Sequence, residues 1–270
     1  MNLQNLHTHT TFCDGLDTPE ELVKTALEKG FDSIGFSEHS YMWASDFSIK
    51  IGDKTKEYKE EINFLKQKYK GVIDIFLGLE VEMYSKVDLE GFDYLIGSVH
   101  YLMCDGDCVT FDRDINSAKN IINKYFGGSG IKFAKAYYQT LSSLYKYGNF
   151  DIIGHFDLIT KYKDMETLFD ISSKEYINAA IEAMEALKGK IPVFEVNTGA
   201  IARGYRKSPY PSMKIIKELK QLGFGVVITS DCHDKKFFDT GFDDAARLLK
   251  ECGYKEKCIL TENGFKEVAL

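Results

Sequence analysis

Seven short runs of apolar residues recur along the chain, and the longer stretches between them carry apolar positions at helical spacing. Each run is continuous rather than alternating, which is typical of parallel strands that are covered on both faces. We therefore predict seven strands, over Leu3–Leu6, Ser33–Ser37, Ile73–Leu79, Tyr94–Val99, Asp151–Gly154, Pro192–Val196 and Gly225–Thr229.

The helical stretches alternate with these strands. The first has a defined start, because Thr18-Pro19-Glu20-Glu21 is typical of a capping box with proline in the first turn, and it runs to about Glu28 before Gly30. The others are predicted over Lys56–Lys70, Ile131–Tyr147, Ser173–Lys188, Ser212–Leu222 and Phe242–Cys252. Seven repeats of strand and helix predict an α/β fold, a (β/α) barrel of roughly seven strands in a single domain over residues 1–270.

Two long segments, Ser40–Thr55 and Tyr101–Asn116, follow strand ends and are predicted to be loops. The first holds the only tryptophan, Trp43, and the second carries four aspartates, Asp105, Asp107, Asp112 and Asp114. Because sites in barrels are built at the C-terminal ends of the strands, we expect both segments to form walls of a pocket. The glycine cluster over 127–130 lacks the Lys-Ser/Thr of a phosphate loop and is predicted to be a turn between helices.

Composition and charge narrow the class of protein. The 270 residues are 44% hydrophobic, and 34 basic against 41 acidic side chains give a net charge of −7. This acidity disfavours a nucleic-acid-binding protein, which needs a basic face for phosphates. We find no signal-peptide pattern and no apolar run long enough for a membrane span.

The six cysteines contain no Cys-x-x-Cys pair, and two of them, Cys104 and Cys108, are a weak metal-site signal. Buried or reduced thiols in a cytoplasmic protein without membrane contact are therefore expected.

The histidines are the strongest chemical signal in the chain. All six are predicted to lie at or just beyond the C-terminal end of a strand: His7, His9, His39, His100, His155 and His233. Two carboxylates, Glu80 and Asp231, take equivalent places. Since the C-terminal ends of parallel strands converge in a barrel, we expect these side chains to meet on one face.

A shared metal centre explains this arrangement better than separate structural roles. A single histidine at a strand end is more often structural, but burying six of them with carboxylates and no cation would be costly. The spacing of His7 and His9, two residues apart, directs both imidazoles to the same side. Nitrogen and oxygen ligands without thiolates suit zinc, manganese or iron.

The residues around the histidines also form a series of short motifs. These are His7-Thr8-His9-Thr10-Thr11-Phe12-Cys13-Asp14-Gly15, Glu38-His39, Gly78-Leu79-Glu80, Gly97-Ser98-Val99-His100, Gly154-His155-Phe156-Asp157, Glu195-Val196-Asn197-Thr198 and Ser230-Asp231-Cys232-His233. Their order, from residue 3 to about 240, resembles that of the PHP superfamily, named for polymerase and histidinol phosphatase. The segments around His100 and His155 are most similar to the stand-alone histidinol-phosphate phosphatases of histidine biosynthesis. The resemblance implies a distorted (β/α)7 barrel that holds three divalent metal ions.

The ligands that the resemblance implies fall into three groups. The first ion takes His7, His9, Glu80 and Asp231; the second takes Glu80, as a bridge, with His100 and His155; the third takes His39, His233 and an acidic residue of the first motif. For that acidic residue Asp14 is favoured over Asp17, which has an alternative role at the helix entry beside Thr18. Glu38 stands where many relatives have an aspartate, and its role is left open.

A centre of this kind predicts phosphate-ester hydrolysis. Bound ions can present hydroxide to phosphorus and offset the charge of a phosphomonoester, so no nucleophilic serine or cysteine is required. Arg203, Arg206 and Lys161 are the candidate phosphate contacts, because guanidinium forks and ammonium groups bind phosphate oxygens. Asp231 or His233 is expected to protonate the leaving oxygen.

The expected substrate is a small-molecule phosphate ester, and the resemblance implies L-histidinol phosphate, which would yield L-histidinol and phosphate. The acidic segment Asp105–Asp114 either attracts the ammonium group of such a substrate or is an ordinary solvated loop. One alternative is a PHP-type nuclease or nucleotide phosphoesterase, which the net charge of −7 disfavours. The other is a non-catalytic metal-binding module, which the complete ligand set disfavours. The sequence leaves the oligomeric state open.

Overall fold

The computed structural model describes residues 2–44 and 54–270. Within these ranges the chain forms eleven strands, in chain order β1 (Gln4–Asn5), β2 (Ser33–His39), β3 (Asp74–Glu82), β4 (Tyr94–Ser98), β5 (Tyr101–Cys104), β6 (Asp107–Thr110), β7 (Ile152–Ile153), β8 (Val193–Asn197), β9 (Gly225–Thr229), β10 (Glu256–Thr261) and β11 (Gly264–Ala269). Seven of them form one parallel sheet in the order β1-β2-β3-β4-β7-β8-β9. These are the seven strands that the apolar runs predict.

The sheet curls into a barrel that closes just beyond its first and last strands. Thr8 forms a parallel bridge with Cys232. The amide of His9 donates to the Cys232 carbonyl at 2.8 Å, and the amide of Cys232 donates to the His7 carbonyl at 3.0 Å. Closure through this short contact confirms the distorted (β/α)7 barrel and brings the first histidine pair next to Asp231 and His233.

The same ranges contain eight α-helices: α1 (Pro19–Glu28), α2 (Thr55–Lys68), α3 (Ile115–Phe126), α4 (Gly130–Leu141), α5 (Lys174–Leu187), α6 (Gly199–Ala202), α7 (Met213–Leu222) and α8 (Phe242–Glu251). The predicted capping box is confirmed, because the Glu21 amide donates to Thr18 Oγ1 and the Glu21 carboxylate accepts from the Thr18 amide. The glycine cluster is a turn between α3 and α4, as predicted, with Gly127 left-handed at the end of α3 and Ser129 capping α4. None of the helices in the described ranges is long and apolar enough to span a membrane.

The prediction of a loop over Tyr101–Asn116 is wrong. Most of this segment is the antiparallel hairpin β5–β6, and α3 begins at its end. The hairpin turns at Asp105-Gly106, where both residues have positive φ, the conformation that a two-residue hairpin turn requires. The predicted helix over Ile131–Tyr147 ends early, at Leu141. The second hairpin, β10–β11, was not predicted, and residues 45–53 of the other predicted loop lie outside the described residues.

Tyr94 is the largest side chain of an inner apolar cluster that the strands form with it. Tyr94 is 1% exposed, and its hydroxyl donates to the carbonyls of Leu6 and Phe36. Its ring has room only because Gly35 and Gly78 lack side chains: a Cβ on either would lie 2.2–2.4 Å from a Tyr94 atom. The ring is therefore closely packed between two glycine-containing strands, and a side chain at either glycine would displace it.

All six cysteines are free thiols, as expected. Five of them are buried, and Cys108 is partly buried. Among the described residues, Cys104 and Cys108 join no group of three or more potential metal ligands.

Candidate metal centre

Glu80, in β3, lies at the centre of the histidines that the strand ends bring together. One carboxylate oxygen, Oε2, lies 2.6 Å from His39 Nδ1, 3.4 Å from His7 Nε2 and 3.7 Å from His9 Nε2. The other, Oε1, lies 2.9 Å from His155 Nε2 and 3.7 Å from His100 Nε2. Since the carboxylate is only 1% exposed, its two oxygens face two different sets of rings in a buried space.

Two aspartates complete the other side of the cluster. Asp231 Oδ1 lies 3.2 Å from His9 Nε2 and 3.5 Å from His233 Nδ1. Asp14 Oδ1 lies 3.3 Å from His233 Nε2 and 3.6 Å from His39 Nε2. Asp231 has a positive φ of 47°, a conformation that aspartate tolerates better than most residues and that is common at functional sites.

The potential ligand atoms form overlapping groups, in each of which they lie within 4.8 Å of one another. The groups are His7, His9 and Glu80; Glu80, His100 and His155; His9, Asp14, His39 and His233; and His9, Cys13 and Glu38. The first three correspond to the predicted ion positions, with two differences: His9 is also close to the third, and Asp231 belongs to none of the groups although its carboxylate lies 3.2 Å from His9 Nε2. The structure thus brings all nine predicted ligands together, and the assignment of ions to them stays a prediction.

Two atoms of the cluster show that these residues fit a cation. His7 Nε2 and His9 Nε2 are buried, and neither has a hydrogen-bond partner. An unsatisfied buried polar atom costs about 1–3 kcal/mol, and here two such atoms point at the same two carboxylates. A divalent ion accepts imidazole nitrogen and carboxylate oxygen together and would satisfy all of these atoms.

The electrostatics of the cluster are strongly coupled. Burial opposes ionisation of Glu80 and Asp231, but the histidines around both carboxyls, and Arg203 beside Asp231, hold their pKa values well below the usual range. Burial also opposes protonation of His39, yet the Glu80 and Asp14 carboxylates raise its pKa to about 9. The cluster is therefore organised to hold positive charge.

Two buried glutamates outside the predicted ligand set contact ring nitrogens of the cluster. Glu195 Oε1 lies 2.5 Å from His7 Nδ1, and Glu82 Oε2 lies 2.9 Å from His100 Nδ1. A carboxylate on one ring nitrogen fixes the tautomer that leaves the other nitrogen free to bind a metal. Sequence reasoning missed both roles, although Glu195 belongs to one of the quoted motifs.

The two candidate aspartates of the first motif have different surroundings. Asp14 lies beside His39 and His233, whereas the Asp17 carboxylate accepts from the Lys235 amide at 2.7 Å and pairs with the Lys235 ammonium at 3.1 Å. Asp17 therefore ties the first motif to the segment after β9 and does not reach the ligand cluster.

The three candidate phosphate contacts have different surroundings in the structure. Arg203 lies at the cluster, with Nη2 2.8 Å from Asp231 Oδ2 and Nη1 3.3 Å from His233 Nδ1. Lys161 Nζ lies 2.7 Å from Asp112 Oδ1, at the edge of the site.

Arg206 is not brought to the cluster. Its guanidinium is buried, donates to Thr160 Oγ1 and the Pro209 carbonyl, and lies 3.6 Å from Asp157. Its surroundings are those of a buried structural ion pair, so a phosphate contact by Arg206 has no geometric support.

A cavity of about 220 Å³ opens beside the cluster. Both predicted wall segments line it, the first through Ser40 and Met42 and the second through Tyr101, Thr110 and Asp112. The other aspartates of the second segment have structural roles: Asp105 forms the hairpin turn, Asp107 pairs with Lys124, and Asp114 caps α3.

Comparisons with known proteins agree with this geometry. The sequence model of the family described as PHP domain matches residues 5–199. A histidinol-phosphatase from Bacillus subtilis is 28% identical over 93% of this chain and 100% of its own length. One from Lactococcus lactis is 28% identical over 98% of this chain and 96% of its own length.

A solved structure has the same fold. It is that of a histidinol phosphate phosphatase from Lactococcus lactis in complex with zinc, L-histidinol and phosphate. The TM-score is 0.74 at 23% identity, and the alignment covers 98% of this chain and 99% of that one.

Proposed function

The chain belongs to the PHP domain family, and from this we propose that it is a metal-dependent phosphatase that hydrolyses L-histidinol phosphate to L-histidinol and phosphate. The observation that carries the proposal is the buried Glu80 carboxylate, which faces separate sets of histidines with each oxygen. Histidinol-phosphatases of two bacteria align with nearly the whole chain, which supports the choice of substrate.

We propose three divalent ions, held by the ligand groups that surround Glu80. Zinc is the first candidate, because the Lactococcus lactis enzyme was solved with zinc and because the ligands are nitrogen and oxygen atoms. Manganese and iron suit the same donors. Such ions, when bound, lower the pKa of water towards about 7 and offset the charge of a phosphomonoester.

Arg203 and Lys161 are the proposed phosphate contacts. Arg203 is held by Asp231 through Nη2, and its other terminal nitrogen lies beside His233, so the guanidinium is oriented before substrate binds. Lys161, in the segment after β7, is held by Asp112, which lines the cavity, and adds a second positive charge near the site. Both are cations outside the metal ligands, where a phosphate dianion needs them.

Of the two predicted acids, Asp231 and His233, His233 is the one we propose to protonate the leaving oxygen, because Arg203 and the nearby histidines hold the pKa of the Asp231 carboxyl well below its usual range. The two are linked, because His233 Nδ1 lies 2.9 Å from the Asp231 carbonyl and 3.5 Å from its carboxylate. Arg203 touches both residues and orients them together.

The cavity beside the cluster suits a small, cationic leaving group. Two carboxylates outside the proposed ligand set, from Glu82 and Asp112, line it together with one arginine, Arg113. Together with the net charge of −7, this favours an amino-alcohol phosphate over a polynucleotide.

Metal content and phosphate release from a substrate panel test the proposal. Purified protein would be assayed on L-histidinol phosphate, a nucleoside monophosphate and an oligonucleotide, and we expect the first to have the highest kcat/KM. Preference for the oligonucleotide would contradict the proposed substrate. His100→Asn should lose metal and activity, whereas Asp107→Asn, an exposed change in the neighbouring hairpin, should lose neither. Full activity and metal content in the His100 variant would contradict the proposed site.

A further inference from the structure

The Glu195 carboxylate is fully buried and receives four hydrogen bonds. Oε1 lies 2.5 Å from both His7 Nδ1 and Thr229 Oγ1, and Oε2 lies 2.6 Å from the His155 amide and 3.0 Å from Asn197 Nδ2. These donors come from the ends of four strands, β1, β9, β7 and β8. Glu195 therefore links a large part of the rim that carries the ligand cluster.

Two of the four partners can only donate. The His155 amide is a backbone N–H, and the Asn197 side chain is fixed because its Oδ1 accepts from the Gly199 amide at 2.8 Å. Nδ2 of Asn197 must therefore face Glu195. With Oε2 committed to these donors, Oε1 is the oxygen left for His7.

We propose that Glu195 is a positioning residue that holds His7 in the tautomer with a proton on Nδ1. The Nε2 lone pair is then directed at the space between Glu80, 3.4 Å away, and Asp231, 3.7 Å away. The inference rests on the proposed metal centre and adds to it a residue that binds no ion itself. It also assigns the buried, unpartnered Nε2 atom of His7 to metal ligation.

Glutamine at position 195 would break this arrangement while keeping the side-chain shape. If its amide oxygen faces His7, its NH2 group meets the His155 amide and Asn197 Nδ2, which are both donors. If the amide oxygen faces those two, its NH2 group meets His7 Nδ1 and favours the tautomer with the proton on Nε2, which cannot bind a metal. Only a carboxylate satisfies both sides.

Zinc binding by Glu195→Gln and Thr229→Val, each measured by competition with a chelator, tests the inference. We expect Glu195→Gln to lower the zinc affinity of the ion position that includes His7 by about 10- to 100-fold, which is the usual effect of removing the hydrogen-bond partner of a metal-binding histidine. Thr229→Val removes the second donor to the same oxygen but keeps the carboxylate, and should bind zinc within about threefold of wild type. Thermal unfolding of the metal-free proteins would check that both variants fold.

The outcomes separate this inference from the proposed function. Equal zinc affinity in Glu195→Gln and wild type would overturn the positioning role alone, as would equal losses in the two variants. A wild-type protein that binds no zinc would overturn the metal centre itself.

A measurement on the wild-type protein tests the same inference without a substitution that could affect folding. In zinc-loaded protein with ¹⁵N-labelled histidine, we expect His7 to carry its ring proton on Nδ1 and none on Nε2. A proton on Nε2 would overturn the inference.

Discussion

Gly15, which follows Asp14 in the first motif, has no space for a side chain. A Cβ at this position would lie 2.2 Å from the His9 carbonyl oxygen, 2.4 Å from its carbon and 2.6 Å from the Thr10 nitrogen. All three are backbone atoms, so no side-chain rotation relieves the clash. Gly15→Ala is therefore expected to displace the segment that carries Asp14, or the strand end that carries His9.

The size of the displacement follows from these distances. Real Cβ contacts are essentially never shorter than 3.0 Å, and ordinary contacts begin at 3.4 Å, so the backbone must separate by about 0.8–1.2 Å. Two hydrogen bonds oppose this separation, because the Gly15 amide donates to the Thr10 carbonyl at 3.0 Å and the Leu16 amide donates to the His233 carbonyl at 2.8 Å. A misplacement of about 1 Å costs about 100-fold in rate, so we expect kcat/KM to fall by about that factor.

The assay is phosphate release from L-histidinol phosphate, together with zinc content and thermal unfolding. Gly30→Ala is the matched control: Gly30 has a φ of +72° and no atom within 4 Å of the added Cβ. It should cost about 1–2 kcal/mol of stability through left-handed strain and leave zinc content and kcat/KM unchanged. If Gly15→Ala keeps kcat/KM within about threefold of wild type, the backbone at His9 yields more easily than the packing implies, and the reasoning fails.

Three further predictions concern other parts of the structure. Asp14→Asn should lose zinc and activity, whereas Asp17→Asn should lower only the melting temperature; equal zinc loss in both would contradict the assignment of Asp14. The pKa of His39 near 9 means that its contribution to the stability of the metal-free protein is complete below pH 6.5 and lost as the pH rises through 9. Zinc affinity should accordingly rise with pH between 7 and 9, because the ion must displace the proton of His39. Calorimetry in buffers of different ionisation enthalpy would measure this proton release. A zinc affinity that does not change with pH in that window would contradict the raised pKa. Arg206→Met should lower the free energy of unfolding, measured in urea, by about 3–5 kcal/mol, because it leaves Asp157 buried without its cation. An unchanged free energy of unfolding would show that this ion pair does not stabilise the fold.

The parallel barrel and its ligand cluster could be predicted from sequence because both depend on strand ends. A buried parallel strand is a continuous apolar run, and a histidine just beyond such a run must lie at the C-terminal rim whatever the details of the strand. The β5–β6 hairpin was missed because the four aspartates of the segment Tyr101–Asn116 indicated a solvated loop. Asp105-Gly106 was the available signal, since this pair favours a tight hairpin turn.

The roles of Glu195 and of the two arginines depend on information that the sequence does not carry. Which carboxylate reaches His7 Nδ1 is set by the register of β8 against its neighbours, where Glu195 pairs with Val227. Arg203 and Arg206 are three residues apart, but Gly204, with a φ of +75°, turns the chain between them. One guanidinium therefore faces the cluster and the other is buried against Asp157.

The closure of the barrel at Thr8 and Cys232 sets an order in which the ligand groups are completed during synthesis. The group of Glu80, His100 and His155 lies on β3, β4 and β7, which are neighbours in the sheet, so all of its members exist once residue 155 is made. At about 5–20 residues per second, His233 follows about 4–16 s later. During that interval a nascent chain carries every member of this proposed ligand group, whereas the proposed groups that include Asp231 or His233 are completed only after the last strand is made.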